Sequence, residues 1–300
     1  MATLPANPTI AAALAWATAQ LQGASETPRL DAELLLGHAL GWGRARVVAE
    51  LPSVVPAAVL HTFRELVARR MDHEPVAYLT GRKEFFGLEF FVDRRVLVPR
   101  PETEMLVELA LEWASGWRRS HPTAGPLIIA DVGTGSGCIA VALAVHLPDA
   151  RVYAIDLSPG ALDVAQQNIA RHAVAGRVTL LQGDLLAPLP HPVDLLVSNP
   201  PYTILAEIDE GVRRHEPRLA LDGGMAGLDV YRHLLAAAPA ALHPGAAMLL
   251  EIGAAQTAAV TAMARTAFPT AQVIVRQDLA GRDRVVMIQT RVSAAAAASL

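Results

Sequence analysis

The feature that most limits the fold of this chain is the alternation of short apolar runs with helix-length segments after residue 126. Runs of this kind predict strands buried on both faces of a sheet, joined by crossover helices. The seven runs are residues 127–132, 151–156, 178–182, 193–198, 247–252, 273–276 and 285–289. We therefore predict an α/β fold with a doubly wound, seven-stranded, mostly parallel sheet that ends in an antiparallel pair.

The first 75 residues follow a different pattern, in which apolar residues recur at helical spacing. Pro28 begins a segment whose predicted apolar stripe is Leu30, Leu34 and Leu35, and a later stripe includes Phe63. The pattern predicts a small helical bundle over residues 1–75.

Residues 78–99 are rich in aromatic and β-branched side chains and are broken by Gly81 and Gly87. This pattern favours a hairpin connector between two domains, which we place at residues 76–105. A helix is predicted to follow over residues 102–117. The third predicted domain, residues 106–300, contains the sheet.

Composition narrows the function classes. The formal net charge of −4 offers no strongly basic face for a phosphate backbone, so we expect no direct binding to nucleic acid. Cys138 is the single cysteine, and the ten histidines lack ligand spacing, so no metal site is predicted. The first 20 residues have neither a basic start nor a long apolar run, which favours a cytoplasmic protein without a membrane segment. We also expect a monomer.

A glycine-rich turn directly follows the first predicted strand. It contains Gly133, Thr134, Gly135, Ser136 and Gly137, and it leads into a predicted helix over residues 138–146. Glycines allow a sharp turn and close approach of a ligand, and a helix N-terminus offers unpaired N–H groups. The spacing G-x-G-x-G differs from the G-x-G-x-x-G of dinucleotide sites and favours a sulfonium amino acid cofactor.

Two aspartates follow the next two predicted strands. Asp156 ends the second strand, where a carboxylate can accept hydrogen bonds from both ribose hydroxyls of a nucleoside. Asp184 follows the third strand, where it can accept from an adenine amine while Leu185 covers the ring. The alternative for either aspartate is a helix N-cap.

The sharpest motif is Asn199-Pro200-Pro201-Tyr202, at the end of the fourth predicted strand. Prolines lack an N–H group, so carbonyl groups near them can face a ligand. The side-chain oxygen of Asn199 and the carbonyl of Pro200 can accept both hydrogens of an –NH₂ group, and the Tyr202 ring can pack on a planar substrate. This pattern indicates methyl transfer to an amide or an exocyclic base amine.

With these motifs, the chain resembles the class I, Rossmann-like S-adenosylmethionine-dependent methyltransferases, and specifically the release-factor glutamine methyltransferase family, PrmC or HemK. Outside the site, the resemblance rests on several segments. They are residues 31–36 (DAELLL), 74–79 (EPVAYL), 81–87 (GRKEFFG), 98–104 (VPRPETE), 216–224 (EPRLALDGG), 251–253 (EIG) and 278–284 (DLAGRDR). It therefore covers most of residues 25–290.

The resemblance implies N5-methylation of the glutamine in the Gly-Gly-Gln motif of peptide chain release factors. S-adenosylmethionine is the implied cofactor, S-adenosylhomocysteine the product, and the helical domain docks the factor. Cofactor roles fall on residues 133–137, Asp156, Asp184, Leu185 and Asn199, and substrate roles on residues 199–202. Some family members have an aromatic residue where Leu185 stands, so we expect weaker stacking on adenine.

The residues alone leave two other hypotheses for the function. One is an amino methyltransferase that acts on a nucleic-acid base or on another protein glutamine, in a ribosomal protein. Another is an adaptor without cofactor that uses only its helical domain. Intact Gly135, Asp156 and Asn199 argue against the adaptor.

Overall fold

The structure, a computed structural model, describes residues 5–291. It contains two compact units. The first comprises residues up to 82 together with 209–215, and the second comprises residues 83–208 and the chain from 216 onward. The ends of the first and last predicted domains, residues 1–4 and 292–300, lie outside the described residues. The boundaries predicted at residues 75 and 105 stay a prediction.

Helices and strands follow one another along the chain in this order. The helices are α1 (Ile10–Leu21), α2 (Pro28–Leu40), α3 (Arg44–Ala49), α4 (Ala57–Met71), α5 (Val76–Thr80), α6 (Glu104–Ser120), α7 (Cys138–His146), α8 (Pro159–Arg171), α9 (Glu210–His215), α10 (Asp229–Ala241) and α11 (Thr257–Ala267). The strands are β1 (Arg82–Phe85), β2 (Leu88–Phe91), β3 (Ile128–Val132), β4 (Arg151–Asp156), β5 (Val178–Gln182), β6 (Val193–Ser198), β7 (Leu242–Glu251), β8 (Gln272–Gln277) and β9 (Asp283–Gln289).

The first unit is the helical bundle that the sequence predicts. Helices α1, α2 and α4 share a core that includes Leu35 and Phe63. The predicted stripe on α2 was wrong in part, because Leu30 and Leu34 are 37% and 36% exposed. The face of α2 that enters the core is instead formed by Ala32, Leu35 and the adjacent Leu36, which are three and four residues apart.

The predicted connector contains the hairpin β1–β2, and a short helix that was not predicted precedes it. Residues 76–80 form helix α5, which ends at Gly81 with a φ of 68°. The aromatic and β-branched residues of this segment resemble a strand in sequence, and the left-handed glycine ends a helical turn. The hairpin turn is formed by Phe86 and Gly87, both at positive φ, as a two-residue turn between twisted strands requires.

The second unit contains the seven-stranded sheet, in the order β5-β4-β3-β6-β7-β9-β8. Strands β3 to β7 pair in parallel, and β9 runs antiparallel to both β7 and β8. This confirms the predicted fold class and the antiparallel end of the sheet. Side chains of the central strands, such as Leu196, Met248 and Ile288, are fully buried in one core.

The register of the parallel strands places the predicted motifs side by side. Val132 on β3 pairs with Ile155 on β4 and with Ser198 on β6. The residues that follow these strands therefore emerge together at the carboxyl edge. The strand order reverses on either side of β3, and ligands of open α/β sheets bind at such a switch point.

Candidate active site

A cavity of about 220 Å³ opens at this edge of the sheet. Predicted site residues form a large part of its wall. They are Gly133, Gly135, Asp156, Asp184, Leu185, Asn199 and Pro201. Ile155, Leu157 and Ala161 add an apolar side, and residues 217, 219, 220 and 222 close it from the chain that follows the Asn-Pro-Pro-Tyr motif.

The glycine-rich turn needs its glycines for backbone conformation. Gly133, Gly135 and Gly137 have φ values of 74°, 54° and 78°, in the left-handed region that strains other residues. A Cβ atom on Gly137 would lie 3.1 Å from the Cβ atom of Ala165, whereas one on Gly135 would meet nothing within 4 Å. Gly137 thus serves packing, and Gly135 leaves space beside the cavity.

The backbone N–H groups of this turn are mostly paired within the protein. Those of Gly133 and Thr134 donate to the Ile155 carbonyl, each over 2.9 Å, and that of Gly135 donates to Asp156 Oδ2 over 2.9 Å. These three N–H groups are therefore already used within the protein, before the helix N-terminus at Cys138. The open space beside Gly135 leaves room for a ligand to approach the backbone closely.

Thr134 and Ser136 are almost fully buried and lie behind the cavity wall. The Thr134 hydroxyl donates to Oδ2 of Asp131 over 2.6 Å, and the Ala140 N–H donates to the same oxygen over 3.1 Å. Burial raises the pKa of Asp131 to about 7. Asp131 thus joins the turn to α7. The sequence analysis did not assign this role, although an acidic residue within an apolar strand was a signal for it. The direct cofactor roles of Thr134, Ser136 and Gly137 stay predictions.

Asp156 lines the cavity and is held by backbone donors. Its Oδ2 accepts from Gly135, and its Oδ1 accepts from the Ser158 N–H over 2.9 Å. The N-cap of α8 is Ser158, whose hydroxyl accepts from the Ala161 N–H, so the alternative of Asp156 as the helix cap was wrong. Burial raises the pKa of Asp156, and the two backbone donors oppose this shift.

The residues after β5 form the far end of the cavity. Leu185 has a φ of 48° and packs against the core of the sheet while it lines the cavity. Asp184 is exposed and is followed by a turn, so an N-cap role does not apply to it either. Leu157, which sequence reasoning did not name, adds an apolar side chain that is 50% exposed. The adenine roles of Asp184 and Leu185 stay predictions.

The Asn-Pro-Pro-Tyr motif is anchored by side chains from distant parts of the sequence. Asn199 Nδ2 donates to Thr103 Oγ1 over 3.0 Å, so the amide nitrogen is occupied and the amide oxygen is not used in this contact. The Tyr202 hydroxyl donates to Glu251 Oε1 over 3.3 Å, and the Tyr202 carbonyl accepts from Gln256 Nε2 over 2.9 Å. Pro200 is buried, and neither it nor Tyr202 lines the cavity.

Glu251 is a buried acid directly beneath this motif. It is 1% exposed, and its backbone carbonyl accepts from the Tyr231 hydroxyl over 2.7 Å. Burial raises the pKa of Glu251 to about 7, against the opposing effects of the Thr103 hydroxyl, Arg284 and Tyr202. The segments 98–104 and 251–253 carry the family resemblance, yet sequence reasoning assigned no chemistry to Thr103 or Glu251.

Glu216 fixes the segment that closes the cavity. Its carboxylate accepts from the Val98 N–H over 3.2 Å and from the Arg100 side chain over 2.6 Å. The carboxylate is almost fully buried, so this pair holds residues 216–222 against the chain before α6. Leu219 and Asp222 from this segment line the cavity.

Comparison with known proteins places this chain in a family. Family models described as PrmC N-terminal domain and Methyltransferase small domain match residues 12–81 and 123–215. A release factor glutamine methyltransferase from Moorella thermoacetica is 47% identical over 90% of this chain and 94% of its own length. One from Geobacter sulfurreducens is 44% identical over 87% of this chain and 89% of its own. The chain belongs to the release factor glutamine methyltransferase family. Like other family members, it is an S-adenosylmethionine-dependent methyltransferase.

A similar solved structure is that of a 16S rRNA methyltransferase from T. thermophilus in complex with AdoMet and guanosine. It is 19% identical, the match covers 70% of this chain and 50% of that one, and the TM-score is 0.49.

The cavity of this glutamine methyltransferase family member fits the cofactor. A glycine turn with open space at Gly135 suits the amino acid part, the carboxylate of Asp156 suits a ribose, and the apolar wall of Leu157 and Leu185 suits a base.

Two features are absent from residues 5–291. No cluster of three or more His, Cys, Asp or Glu side chains there has the arrangement of a metal site. No helix in the same range is long and apolar enough to cross a membrane.

Proposed function

We propose that this enzyme transfers the methyl group of S-adenosylmethionine to N5 of the glutamine in the Gly-Gly-Gln motif of peptide chain release factors. The observation that carries the proposal is the pinned amide of Asn199 at the cavity wall. Its nitrogen is held by Thr103, which leaves its oxygen as an acceptor for an –NH₂ group. The protein substrate is inferred from the relatives, which are release factor glutamine methyltransferases. Methyl transfer to an –NH₂ group is inferred from the residues of the cavity.

The cofactor is expected to lie along the carboxyl edge of the sheet. In this arrangement the Asp156 carboxylate accepts from the ribose hydroxyls, because it retains lone pairs beyond those used by Gly135 and Ser158. Asp184 and Leu185 receive the adenine, and the turn at residues 133–137 receives the amino acid part. When bound, the cofactor supplies an electrophilic methyl group on a positively charged sulfur.

The chain's own residues must orient a poor nucleophile. An amide nitrogen shares its lone pair with the carbonyl, so alignment in a dry site matters more than a strong base. The transfer would break one C–S bond of the cofactor and form one N–C bond, and the proton lost by the nitrogen would pass to solvent. Asn199 and the Pro200 carbonyl accept the two amide hydrogens and stabilise the positive charge that grows on the nitrogen.

The ring of Tyr202 forms one side of the proposed acceptor site. Its hydroxyl is bound by Glu251 and its backbone carbonyl by Gln256, so the ring is held in one position on which a planar amide can pack. Pro201 lines the cavity beside it.

We further propose that the helical unit docks the release factor, and that the enzyme acts as a cytoplasmic monomer without a metal, a membrane or direct contact to nucleic acid. The formal net charge of −4 supports a protein substrate over a phosphate backbone.

The test is incubation of the purified enzyme with isotope-labelled S-adenosylmethionine and a release factor, followed by peptide mass spectrometry. We expect one methyl group, on the glutamine of Gly-Gly-Gln. Ribosomal protein, ribosomal RNA and DNA serve as competing substrates in parallel reactions. Label in one of these and none in the release factor would show that the acceptor has been assigned wrongly.

A further inference from the structure

The side chain of Gln256 joins three separate backbone segments of the second unit. Its Nε2 donates to the Tyr202 carbonyl over 2.9 Å and to the Gly227 carbonyl over 3.0 Å. Its Oε1 accepts from the Gly253 N–H over 3.1 Å, at the start of the turn that leads into α11. Turned over, the amide would place its oxygen against two carbonyls, so its partners fix its orientation.

Two glycines let a later segment of the chain lie directly on the Tyr202 backbone. A Cβ atom on Gly223 would lie 2.7 Å from Tyr202 Cα, and one on Gly227 would lie 2.1 Å from the Tyr202 carbonyl oxygen. Neither position has room for a side chain. The Thr203 N–H donates to the Leu221 carbonyl and the Gly223 N–H donates to the Thr203 carbonyl, each over 3.0 Å. The two segments are therefore in backbone contact, without side chains between them.

The same segment also forms part of the cavity wall. We name residues 217–230 the bridge segment. Its residues Leu219, Asp222 and Val230 line the cavity that we assign to the cofactor. The glycines between Asp222 and Val230 contact the Tyr202 backbone. A displacement of the bridge segment from Tyr202 would therefore change the distance between the cofactor wall and the ring on which the acceptor amide is proposed to pack.

We propose that Gln256 is a positioning residue for methyl transfer, which fixes the bridge segment to Tyr202 and thereby sets the distance between the methyl donor and the acceptor amide. Gln256 does not line the cavity, so it acts through the two backbones that it holds. The inference rests on the proposed function, since it places the acceptor amide on the Tyr202 ring. Alignment governs the rate of such a transfer, and a misplacement of about 1 Å can cost about 100-fold.

The two ends of the Gln256 amide have separate roles, and one substitution distinguishes them. The oxygen caps the turn before α11 by accepting from Gly253, a role that glutamate fills as well as glutamine. The nitrogen holds the carbonyls of Tyr202 and Gly227, and a carboxylate oxygen in its place would repel both. Gln256→Glu therefore keeps the cap and removes the contact to the bridge segment.

The first test measures the single-turnover rate of release factor methylation and the affinity for S-adenosylmethionine in variants of the full chain. For Gln256→Glu we expect the rate to fall about 10- to 100-fold, because the acceptor is misplaced. The loss of cofactor affinity should be much smaller, since Asp156 and the glycine turn are unchanged. Gln256→Met keeps the length of the side chain without its polar contacts and should lose a similar rate. Gln272→Glu makes the same change at an exposed position on β8 and should keep the wild-type rate.

A wild-type rate in Gln256→Glu would overturn the proposal, because it would leave Gln256 with the capping role alone. A rate loss in Gln256→Met without one in Gln256→Glu would overturn it for the same reason. Thermal unfolding shows which variants are folded. If the glutamate prevents folding, a folded Gln256→Met enzyme with the wild-type rate would still refute the positioning role.

Hydrogen exchange of the substrate-free protein separates this inference from the proposed function. The N–H groups of Thr203, Gly223 and Asp229 take part in the backbone hydrogen bonds of the bridge segment. We expect them to exchange faster in both Gln256 variants than in the wild type and in Gln272→Glu. If the wild type methylates no release factor but the variants show this faster exchange, the function is refuted and the contact stands. An active wild type whose Gln256 variants exchange at the wild-type rate would refute the positioning role alone.

Discussion

At the scale of single residues, the polar side chains of the site are oriented by partners within the protein. Asp156 is fixed by two backbone N–H groups, Asn199 by a buried hydroxyl and Glu216 by a backbone N–H and an arginine. Fixed acceptors lose little entropy when they bind, which is what alignment of a weak nucleophile requires.

The first prediction concerns Asp156. Asp156→Ala should weaken S-adenosylmethionine binding, because each ribose hydroxyl loses a charged acceptor worth about 1.5–3 kcal/mol. Titration calorimetry of the purified variant measures the loss. Asp149→Ala, which removes an exposed aspartate from the same unit, is the matched control and should bind like the wild type. Equal affinity in Asp156→Ala and Asp149→Ala would remove Asp156 from the site.

Individual site residues could be predicted from the sequence where they end or directly follow a predicted strand. The glycine turn, Asp156 and Asn199 follow three strands, and parallel strands must end at the same edge of a sheet. Thr103 and Glu251 could not be placed in this way. Thr103 lies 96 residues before Asn199, and Glu251 lies 49 residues after Tyr202. Only the folded structure brings each of them to its partner.

At the scale of elements, two glycine substitutions separate the effect of backbone strain on stability from the effect on cofactor binding. Gly135→Ala and Gly281→Ala both place a Cβ atom at positive φ, with nothing within 4 Å of it. Each should lose about 1 kcal/mol of stability from the left-handed conformation. Gly135 alone lines the cavity, so its variant alone should also bind S-adenosylmethionine more weakly. Thermal unfolding and calorimetry measure the two effects, and wild-type binding by Gly135→Ala would contradict the assigned position of the cofactor.

Strands were easier to predict than short helices because the buried sheet leaves long apolar runs. Six of the seven runs match observed strands to within two residues at either end. Strand β7 begins at Leu242, five residues before its predicted start, since Pro244 and Gly245 resemble a turn although the chain continues beside β6. Helices α5 and α9 were missed because five or six residues carry too little periodicity to be recognised.

At the scale of the whole molecule, two buried acids predict how stability depends on pH. Burial raises the pKa of Asp131 and of Glu251 to about 7, from ordinary values of 3.8 and 4.5. Between about pH 4.5 and 7 the folded chain holds protons that the unfolded chain has released, so the free energy of unfolding falls as pH rises through this window. Asp278, whose pKa is lowered to about 2, stays ionised throughout the same range.

Thermal unfolding across this pH range tests the sign of the effect. Above about pH 4.5 the wild-type melting temperature should decline and then level off beyond about pH 7. Glu251→Gln cannot ionise, so its decline should be smaller, with Asp131 responsible for the rest. A decline of the same size in Glu251→Gln would mean that Glu251 is already ionised below this window.

The central claim is that Asn199 holds and orients the amide that receives the methyl group. The most direct measurement is the single-turnover rate of release factor methylation by Asn199→Ala, together with its affinity for S-adenosylmethionine. We predict a loss of about 10²–10³ in rate, as is common for one oriented polar contact in a catalytic site, with a much smaller loss of cofactor affinity. A folded Asn199→Ala enzyme that methylates the glutamine at near the wild-type rate would contradict this role of Asn199.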